Sequence, residues 1–522
     1  MLIAGLILIP ALAGLAAIFW RSRAGRRALL VAAAAAHAAL TAGVWARTPE
    51  PILHGWLAVD PLGRLFLTIV SVLFLASAVY AVGYLRREER DRHVDAQEGF
   101  LFTNEPEAIF IGCLLLFLSA MTLVTACQHF GLLWVGVEAT TLASAPLIYF
   151  HRHHRSLEAT WKYILICSVG IALALLGNFL LAVAARGAGD GSAGLLAGSL
   201  LGHAAGLDAR WLKAAFLFFL VGYGTKMGLA PLHTWLPDAH SEAPSLVSAL
   251  LSGALLNCAF LGILRAHQLC VAAGEAAFSQ GLLVVFGLVS MGVAAVFIVR
   301  QADFKRMLAY SSVEHMGVLA LGVGLGGAGV FGAMFHAFNH SFTKAALFLA
   351  AGNILAAYRT KSVRDVRGVL GVLPVTGALW VAGFLSATGS PPFGTFLSEF
   401  TILKAGLDQG RVVVAVLYLV FLSLIFIGMV NIVLRMAQGE PSAEGGEGSR
   451  EPWWQFASPA VLLAGVLALG LYVPPQLDQS LKQVSAGFAP PDGAAAHSAY
   501  VEVPAGGEAG ENPRPWQRPE GQ

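Results

Sequence analysis

Charged residues are scarce in this chain of 522 residues: Asp, Glu, Lys and Arg together make up 12%, whereas hydrophobic residues make up 57%. That balance nearly excludes a soluble globular fold, because ordinary soluble domains carry about twice that share of charge. The formal net charge is only +2, and so few charges offer no basic surface for a nucleic acid partner. The composition therefore favours a polytopic membrane protein.

Cysteine is also sparse, with five in the chain and no C-x-x-C pair among them. Each lies singly in or beside an apolar segment, which is typical of small buried hydrophobes rather than of disulfides or of zinc or iron-sulfur ligands. They are Cys113, Cys127, Cys167, Cys258 and Cys270. Haem and flavin motifs are absent as well. We therefore expect no cofactor and no metal in this chain, no electron transfer through it and no catalytic centre of its own.

Long apolar segments recur along the whole chain. A helix needs roughly 20 apolar residues to cross a bilayer, and by that measure we count about fourteen spans. The sequence thus predicts an all-α polytopic membrane protein with spans near residues 2–20, 28–46, 62–85, 108–127, 130–150, 162–184, 212–235, 244–265, 280–299, 307–325, 329–357, 371–403, 412–436 and 455–473.

Lysine and arginine cluster in alternate connections between these spans, which is typical of cytoplasmic loops. In the opening segment the arginines follow the apolar run, so we read it as a retained first span rather than a cleaved signal peptide. Both termini are then predicted on the outer side of the membrane. The basic connections are residues 21–27, 86–92, 152–155, 300–306 and 358–367.

Two predicted spans contain prolines, in GLAPLHTWLP (228–237) and in GSPPFG (389–394). Proline removes a backbone hydrogen bond and breaks or kinks a helix, and irregular backbone at membrane depth occurs only where protein covers it or water reaches it. One break in each half of the chain suggests an internal duplication, with an ion path near the breaks. The linker 439–452 and the chain after about 485, rich in Pro, Gly and Ala, are predicted to be disordered.

Two opposite charges fall deep within predicted spans. Glu138 lies about eight residues into its span, and Lys226 lies about fifteen residues into its own, next to the first break. A charge at mid-bilayer costs about 2.5–3.5 kcal/mol on insertion scales, so such groups are functional by default. We predict that the two side chains pair. The alternatives are static structural ties or side chains that extend along the helix to the surface.

A polar stripe occupies one face of a later span, where His336, His340 and Lys344 recur every four residues. Histidine titrates near neutral pH, which favours a proton relay. A metal site on the His-x-x-x-His pair is less favoured, because Lys344 would oppose a divalent ion and no carboxylate belongs to the stripe. The remaining alternative is that these are hydrogen-bonded core histidines.

Further ionisable residues lie near the breaks. Glu399 follows the second break and is a candidate for the ion path, although its carboxylate could also tie down broken backbone. Glu314 and His315 lie near the basic end of their span, where a surface role competes with a channel role.

The segment LPDAHSEAP provides Asp238, His240 and Glu242, which either gate proton entry or form a solvated turn. His233, within the first break, is a further accessory candidate. Lys162 lies near an interface, where a membrane anchor is favoured over a relay member.

Four segments together resemble a known family. They are KMGLAPLHTWLPDAHSEAPSLVSALLSG (226–253), DFKRMLAYSSVEHMG (303–317), NHSFTKAALFLAAG (339–352) and GSPPFGTFLSEF (389–400). All resemble signature segments of the proton-conducting, antiporter-like membrane subunits shared by respiratory complex I, group 4 membrane-bound hydrogenases and multisubunit sodium/proton antiporters. Within that family, residues 135–177 and SSVEHMG are most similar to hydrogenase-4 component F.

The resemblance implies two inverted five-helix repeats, each with a broken helix. It implies that Glu138 and Lys226 form the first site, that the His336, His340 and Lys344 stripe connects the halves, and that Glu399 is the last ionisable group. Its implied organisation is N-terminal helices in 1–100, a first repeat in 105–270, a second repeat in 279–437, a last helix in 453–475 and a flexible tail in 476–522.

One position departs from the family pattern. Asn257 stands where many relatives carry a lysine, and an asparagine side chain can hydrogen-bond but cannot take up a proton near neutral pH. The link between the two halves would then run through water and neighbouring polar groups.

The function that the sequence favours is a proton-translocating subunit of a membrane-bound [NiFe] hydrogenase, or of a related NADH:quinone oxidoreductase, in the bacterial inner membrane. Its expected partners are the other membrane and peripheral subunits, the lipid bilayer and protons or Na⁺. The nickel-iron centre and iron-sulfur clusters would belong to partner subunits. The alternatives are a sodium/proton antiporter module and a non-conducting membrane anchor.

Overall fold

Helices make up almost all of the structure, a computed structural model that describes residues 1–88, 93–94, 101–187, 194–441 and 451–489. Twelve helices in these residues are long and apolar enough to cross a membrane. The other two of the fourteen predicted spans are the two that contain the proline segments, and each is divided into two shorter helices. The prediction of an all-α polytopic membrane protein is confirmed.

The first part of the chain forms an N-terminal group and the helices up to the first break. Asp60 caps α3 by accepting from the Gly63 amide, and Arg27 of α2 pairs with Glu107 of α4 at 2.6 Å. Two-residue strands, His93–Val94 and Leu101–Phe102, pair antiparallel. The helices are α1 (Leu2–Phe19), α2 (Arg23–Ala46), α3 (Pro61–Arg87), α4 (Glu107–Ala126), α5 (Phe130–Ile148), α6 (His154–Ala184), α7 (Ala197–Gly202) and α8 (Ala209–Met227).

The central part begins after the first break and contains the most deeply buried helices. A π-helical turn, Leu251–Leu255, interrupts one span between its two α-helical parts. The helices are α9 (Trp235–Glu242), α10 (Ser245–Leu250), α11 (Leu256–Ala272), α12 (Ala276–Ile298), α13 (Phe304–Leu325) and α14 (Ala328–Tyr358). Nearly every side chain of α10, α11 and α13 is buried, so these elements form the centre of the bundle.

The last part contains the second break and the end of the described chain. Its helices are α15 (Val369–Val372), α16 (Pro374–Ala387), α17 (Gly394–Asp408), α18 (Val412–Ala437), α19 (Trp453–Leu471) and α20 (Pro475–Ala486). The tail predicted from residue 476 onward is wrong at its start, because α20 packs Leu481 and Val484 into the core. Most of the predicted linker and the tail beyond 489 lie outside the described residues.

Both breaks fall where they are predicted. In the first, Gly228 ends α8 in the left-handed conformation with φ +83°, which glycine adopts without steric cost. The freed backbone is satisfied locally: the Ala230 amide donates to Ser290 Oγ of α12 at 2.9 Å, and Trp235 Nε1 donates to the Thr225 carbonyl at 2.8 Å. Buried backbone therefore stays hydrogen-bonded although the helix stops.

The basic connections that the structure describes meet on one side of the bundle, which we call the basic face. Lys361 pairs with Glu242 at 2.8 Å, and Asp303 forms a backbone bridge with Ser362. The outward surfaces of α6, α12 and α18 carry exposed apolar side chains such as Leu165, Val296 and Val413, as a lipid-facing or subunit-facing exterior requires.

Candidate functional site

Lys226 lies at the C-terminal end of α8, immediately before the first break, with none of its surface exposed. Its ammonium donates to Thr141 Oγ1 at 2.6 Å and to Tyr163 Oη at 2.7 Å, and it lies 4.6 Å from the centre of the Tyr163 ring. Tyr163 also hydrogen-bonds Ser144 at 2.6 Å. The side chain is held by hydroxyls inside the protein, so the alternative in which Lys226 reaches the surface is wrong.

Glu138 is connected to Lys226 through Thr141. The Thr141 hydroxyl donates to Glu138 Oε2 at 3.1 Å while accepting from Lys226, and Ser168 donates to Oε1 at 3.0 Å. Among the described residues, no direct ion pair joins the two charges, so the predicted contact is bridged by a hydroxyl. Glu138 is half-buried, with Leu142 and Leu165 exposed on the same two helices.

The middle of the bundle contains Asn257 and the π-helical turn. Asn257 Nδ2 donates to Ser341 Oγ of α14 at 2.7 Å. Beside it, Ser252 hydrogen-bonds Ser312 of α13 at 2.7 Å, and its carbonyl faces His340 Nε2 at 3.4 Å. π-helical turns are frequent at functional sites. This one places neutral polar groups between the two halves.

Three histidines gather on the far side of this turn. His315 Nδ1 lies 2.9 Å from His336 Nε2, and His336 Nδ1 lies 2.9 Å from Ser398 Oγ. The rings of His315 and His340 are 4.7 Å apart. Because His340 Nδ1 and His315 Nε2 are buried without a hydrogen-bond partner among the described residues, the alternative of fully hydrogen-bonded core histidines holds only for His336.

Glu399 completes this group from α17. Its carboxylate occupies the space beside Gly389 in the second break, where an added Cβ would lie 2.0 Å from Oε2. Gly389 has φ +60°, so the break supplies both the turn and the room. Ligand atoms of His315, His336 and Glu399 all lie within 4.8 Å of one another. The sequence objection that no carboxylate belongs to the histidine stripe therefore holds for α14 alone and not for the folded chain.

Lys344 and Glu314 form a second buried pair of opposite charges. Lys344 Nζ donates to the Leu308 carbonyl at 3.2 Å, and Ser311 donates to Glu314 Oε2 at 3.1 Å. Glu314 is 1% exposed and His315 is fully buried, so the surface alternative for these two residues is wrong.

The accessory candidates near the basic face take different places. Asp238 accepts from Lys162 at 3.0 Å and from Arg306 at 2.6 Å, and Lys162 is 45% exposed, as expected for an interface residue. His240 is fully buried against Phe348 with a 5.0 Å ring separation, so a solvated turn is wrong for that residue. His233 lies in the first break, 6.1 Å from the Tyr310 ring.

The sequence analysis missed the hydroxyls that connect the charged groups. Thr141, Tyr163, Ser252 and Ser398 carry no charge and are common in membrane helices, so composition does not distinguish them. One signal was available: Thr141 lies three residues after Glu138, which puts both on one helical face.

Buried acids and bases, arranged between two broken helices of a polytopic bundle, define an ion-conducting type of membrane subunit. Residues 127–426 match the family described as NADH:quinone oxidoreductase/Mrp antiporter, TM. The chain belongs to this family, and the resemblance seen in the sequence is confirmed.

Individual relatives agree with this assignment. A hydrogenase-4 component F homolog of Methylacidiphilum infernorum (isolate V4) is 36% identical over 424 residues, which cover 80% of this chain and 86% of that protein. Hydrogenase-4 component B of Escherichia coli (strain K12) is 29% identical over 369 residues, or 68% of this chain and 52% of that protein. The chain thus spans about half the length of this longer relative.

The fold also has a close match among solved structures. A chain of the membrane-bound sulfane sulfur reductase, an archaeal respiratory membrane complex, superimposes with a TM-score of 0.80 at 21% identity, over 93% of this chain and 97% of that one. The chain is therefore an antiporter-like membrane subunit, and its relatives are subunits of multisubunit membrane complexes.

Proposed function

We propose that this chain is a proton-translocating subunit of a membrane-bound [NiFe] hydrogenase complex of the hydrogenase-4 type, in a bacterial inner membrane. The observation that carries the proposal is Lys226, a cation without exposed surface that is connected by one hydroxyl to a carboxylate. Among curated relatives, the hydrogenase-4 component F homolog covers the largest part of the chain's length reported above. Nickel-iron and iron-sulfur chemistry would belong to partner subunits.

The first step in this mechanism occurs at the bridge between Glu138 and Lys226. Redox turnover in the partners displaces Glu138 or Thr141, and Lys226 loses both an acceptor and the electrostatic support of the carboxylate. An isolated charge is costly in a low-dielectric interior, so the ammonium releases its proton. Re-formation of the bridge restores the affinity of Lys226 for a proton and resets the site.

The second step carries the proton between the halves. Asn257 cannot hold a proton near neutral pH, so the route passes through groups that can exchange one, among them His340, His315 and His336. The ring of His340 faces the π-helical turn, and His315 joins it to His336 and Glu399. Lys344 and Glu314 lie beside this route and set its local charge.

The test is Lys226→Met in the complete complex, assayed in sealed vesicles with a pH-sensitive dye during hydrogenase turnover. Coupled proton movement should be abolished while hydrogenase activity in detergent persists. Lys213→Met is the matched control, because Lys213 pairs with Glu275 at 2.7 Å on a partly exposed surface, and it should pump normally. Unaltered proton movement in Lys226→Met would refute the proposal.

A second candidate function is a membrane anchor that docks the partner subunits without conducting. Asn257, an uncharged residue at the middle of the bundle, is the observation that favours it. In that case Lys226→Met and the parent complex would show the same proton movement. A sodium/proton antiporter module would instead show sodium-dependent proton exchange in the same vesicles.

A further inference from the structure

We propose that His315, His336 and Glu399 form a binding site for a divalent transition metal of the Zn²⁺ class, and that an ion bound there closes the second half of the proton route. Metal binding stands on the geometry of the three side chains alone. Closure of the route rests on the proposed function as well.

The three ligands come from three different helices, α13, α14 and α17, and are held by the packing of the bundle core. Their ligand atoms all lie within 4.8 Å of one another. Zinc takes nitrogen and oxygen ligands at about 2.0–2.2 Å, so neighbouring ligand atoms in a tetrahedral site are separated by roughly 3.3 Å. Small side-chain rotations close that gap. Two histidines and one carboxylate also form a donor set that zinc enzymes use.

The hydrogen bonds around His336 show which ring nitrogen can bind. Ser398 donates its single hydroxyl proton to the Thr395 carbonyl at 2.8 Å, so it can only accept from His336 Nδ1. Neutral His336 therefore carries its proton on Nδ1 and has a lone pair on Nε2, facing His315. A metal-binding histidine is commonly oriented in this way by a hydrogen bond from its other nitrogen.

The contact between the two histidines offers a place for an ion. His315 Nδ1 and His336 Nε2 are 2.9 Å apart and share one proton. If the His315 proton moves to Nε2, which has no hydrogen-bond partner among the described residues, both facing nitrogens have lone pairs. A divalent ion can then take the place of the shared proton while the histidines stay neutral.

Glu399 supplies the charge that such an ion requires. Its Oε1 is buried and also lacks a hydrogen-bond partner in the described part of the chain. Buried polar atoms are normally hydrogen-bonded, so an unpartnered carboxylate oxygen beside two imidazoles calls for an explanation. Metal coordination provides one, with the carboxylate proton, if present, released on binding.

Lys344 is too far along α14 to prevent binding. It lies eight residues from His336, which corresponds to about 12 Å along a helix. The His336 and His340 pair considered from the sequence would place the ion nearer to that ammonium, whereas His315 and Glu399 draw the site away from it. An ion at this site would also occupy three proton-carrying groups at once, which is why it would close the route.

The first test measures binding in the purified, chelator-treated complex in detergent. Equilibrium dialysis against Zn²⁺, read by elemental analysis, should show one ion per chain that is lost at least tenfold in affinity in Glu399→Gln and His315→Gln. Co²⁺ should give visible ligand-field bands that these variants lack. Ser398→Ala, which removes only the partner of His336, should weaken binding about tenfold, and it serves if the other variants do not fold.

Two controls and the opposing outcomes make the test decisive. His37→Asn removes another buried histidine, which bonds Ser71 and Thr122, and Glu138→Gln removes another intramembrane carboxylate; both should bind as the parent does. No stoichiometric ion in the parent, or parent-like binding in Glu399→Gln, would overturn the site. Since dialysis does not depend on pumping, a failure here is distinct from a failure of the proposed function. Bound Zn²⁺ that leaves vesicle proton movement unchanged would overturn closure alone.

Discussion

The two ends of the polar route differ in how their charged groups are satisfied. At the first, Lys226 and Glu138 are both hydrogen-bonded and share Thr141, so the charges are held at a fixed separation. At the second, Glu399 leaves Oε1 without a partner and lies beside imidazoles instead of a cation. A fully bonded site stores a proton until something breaks the bridge, whereas a site with spare hydrogen-bonding capacity accepts and passes it on.

Removing the bridge should have the largest effect on this difference. Thr141→Val keeps the shape of the side chain but leaves Lys226 with one acceptor fewer, and a lost bond to a buried group costs about 1–3 kcal/mol. We expect coupled proton movement in vesicles to fall roughly 5- to 100-fold.

The matched control for this change is Thr140→Val. Thr140 is equally buried, but its hydroxyl donates only to the Val137 carbonyl of its own helix. Its proton movement should stay within twofold of the parent. Equal losses in the two variants would show that the bridge is not special.

A change at the second break should have the next largest effect. Gly389→Ala places a Cβ 2.0 Å from Glu399 Oε2 and adds the cost of a left-handed alanine, about 1–2 kcal/mol. We expect several-fold slower proton movement together with a lower unfolding temperature in detergent.

Gly410→Ala separates strain from displacement of the carboxylate. Gly410 has φ +69° and nothing within 4 Å of an added Cβ. It should lower the unfolding temperature slightly and leave proton movement unchanged. If both alanine variants pump alike, the position of Glu399 does not matter to the route.

Between the two ends, a smaller effect is expected at Asn257. The proposed route passes through His340 and the histidine cluster, so Asn257→Leu should reduce proton movement less than threefold despite the lost bond to Ser341. Initial rates in the same vesicle assay measure this. A loss as large as that of Thr141→Val would place Asn257 on the route itself.

The smallest effect on pumping is expected at an ion pair distant from both ends. Burial acts to raise the pKa of Asp60, but the Arg265 guanidinium, bonded at 2.6 Å, outweighs it and the pKa lies below its usual range. A lowered pKa adds stability above the ordinary pKa of the carboxyl that is lost as pH falls through the folded value. Unfolding temperatures measured in detergent from pH 7 down to acid should therefore decline.

Asp60→Asn tests this pair directly. The variant should lose that part of the acid dependence and about 3 kcal/mol of stability at neutral pH, because Arg265 stays buried without its partner. An unchanged acid profile in the variant would contradict the assignment. Proton movement per folded complex should not change.

Much of the fold follows from local sequence. Apolar runs locate the spans and the prolines near Gly228 and Gly389 locate both breaks, because helix length and proline chemistry are properties of one segment. Lys226 and Glu399 are identified in the same way, since an ionisable residue inside an apolar run is costly wherever its helix packs.

What the sequence leaves open depends on which helices touch. That Thr141 bridges Glu138 and Lys226, or that His315 joins His336 and Glu399 from three helices, requires the packing of the bundle. A single helix carries no record of its neighbours' side chains. The helix α20 was missed for a related reason: its polar composition suggests a free tail, and only contact with the core makes it ordered.

The π-helical turn at Leu251–Leu255 has a consequence for the phase of the helix that contains it. Ser245 lies against Gly352 of α14, and Asn257 bonds Ser341 of the same helix. Twelve residues of an unbroken α-helix would turn these two side chains about 120° apart, but one residue absorbed in the wide turn reduces the angle to about 20°. Antiparallel segments of unequal length thereby keep a common seam, and this stretch is where the chain can shorten by one residue without turning either end away from its neighbour.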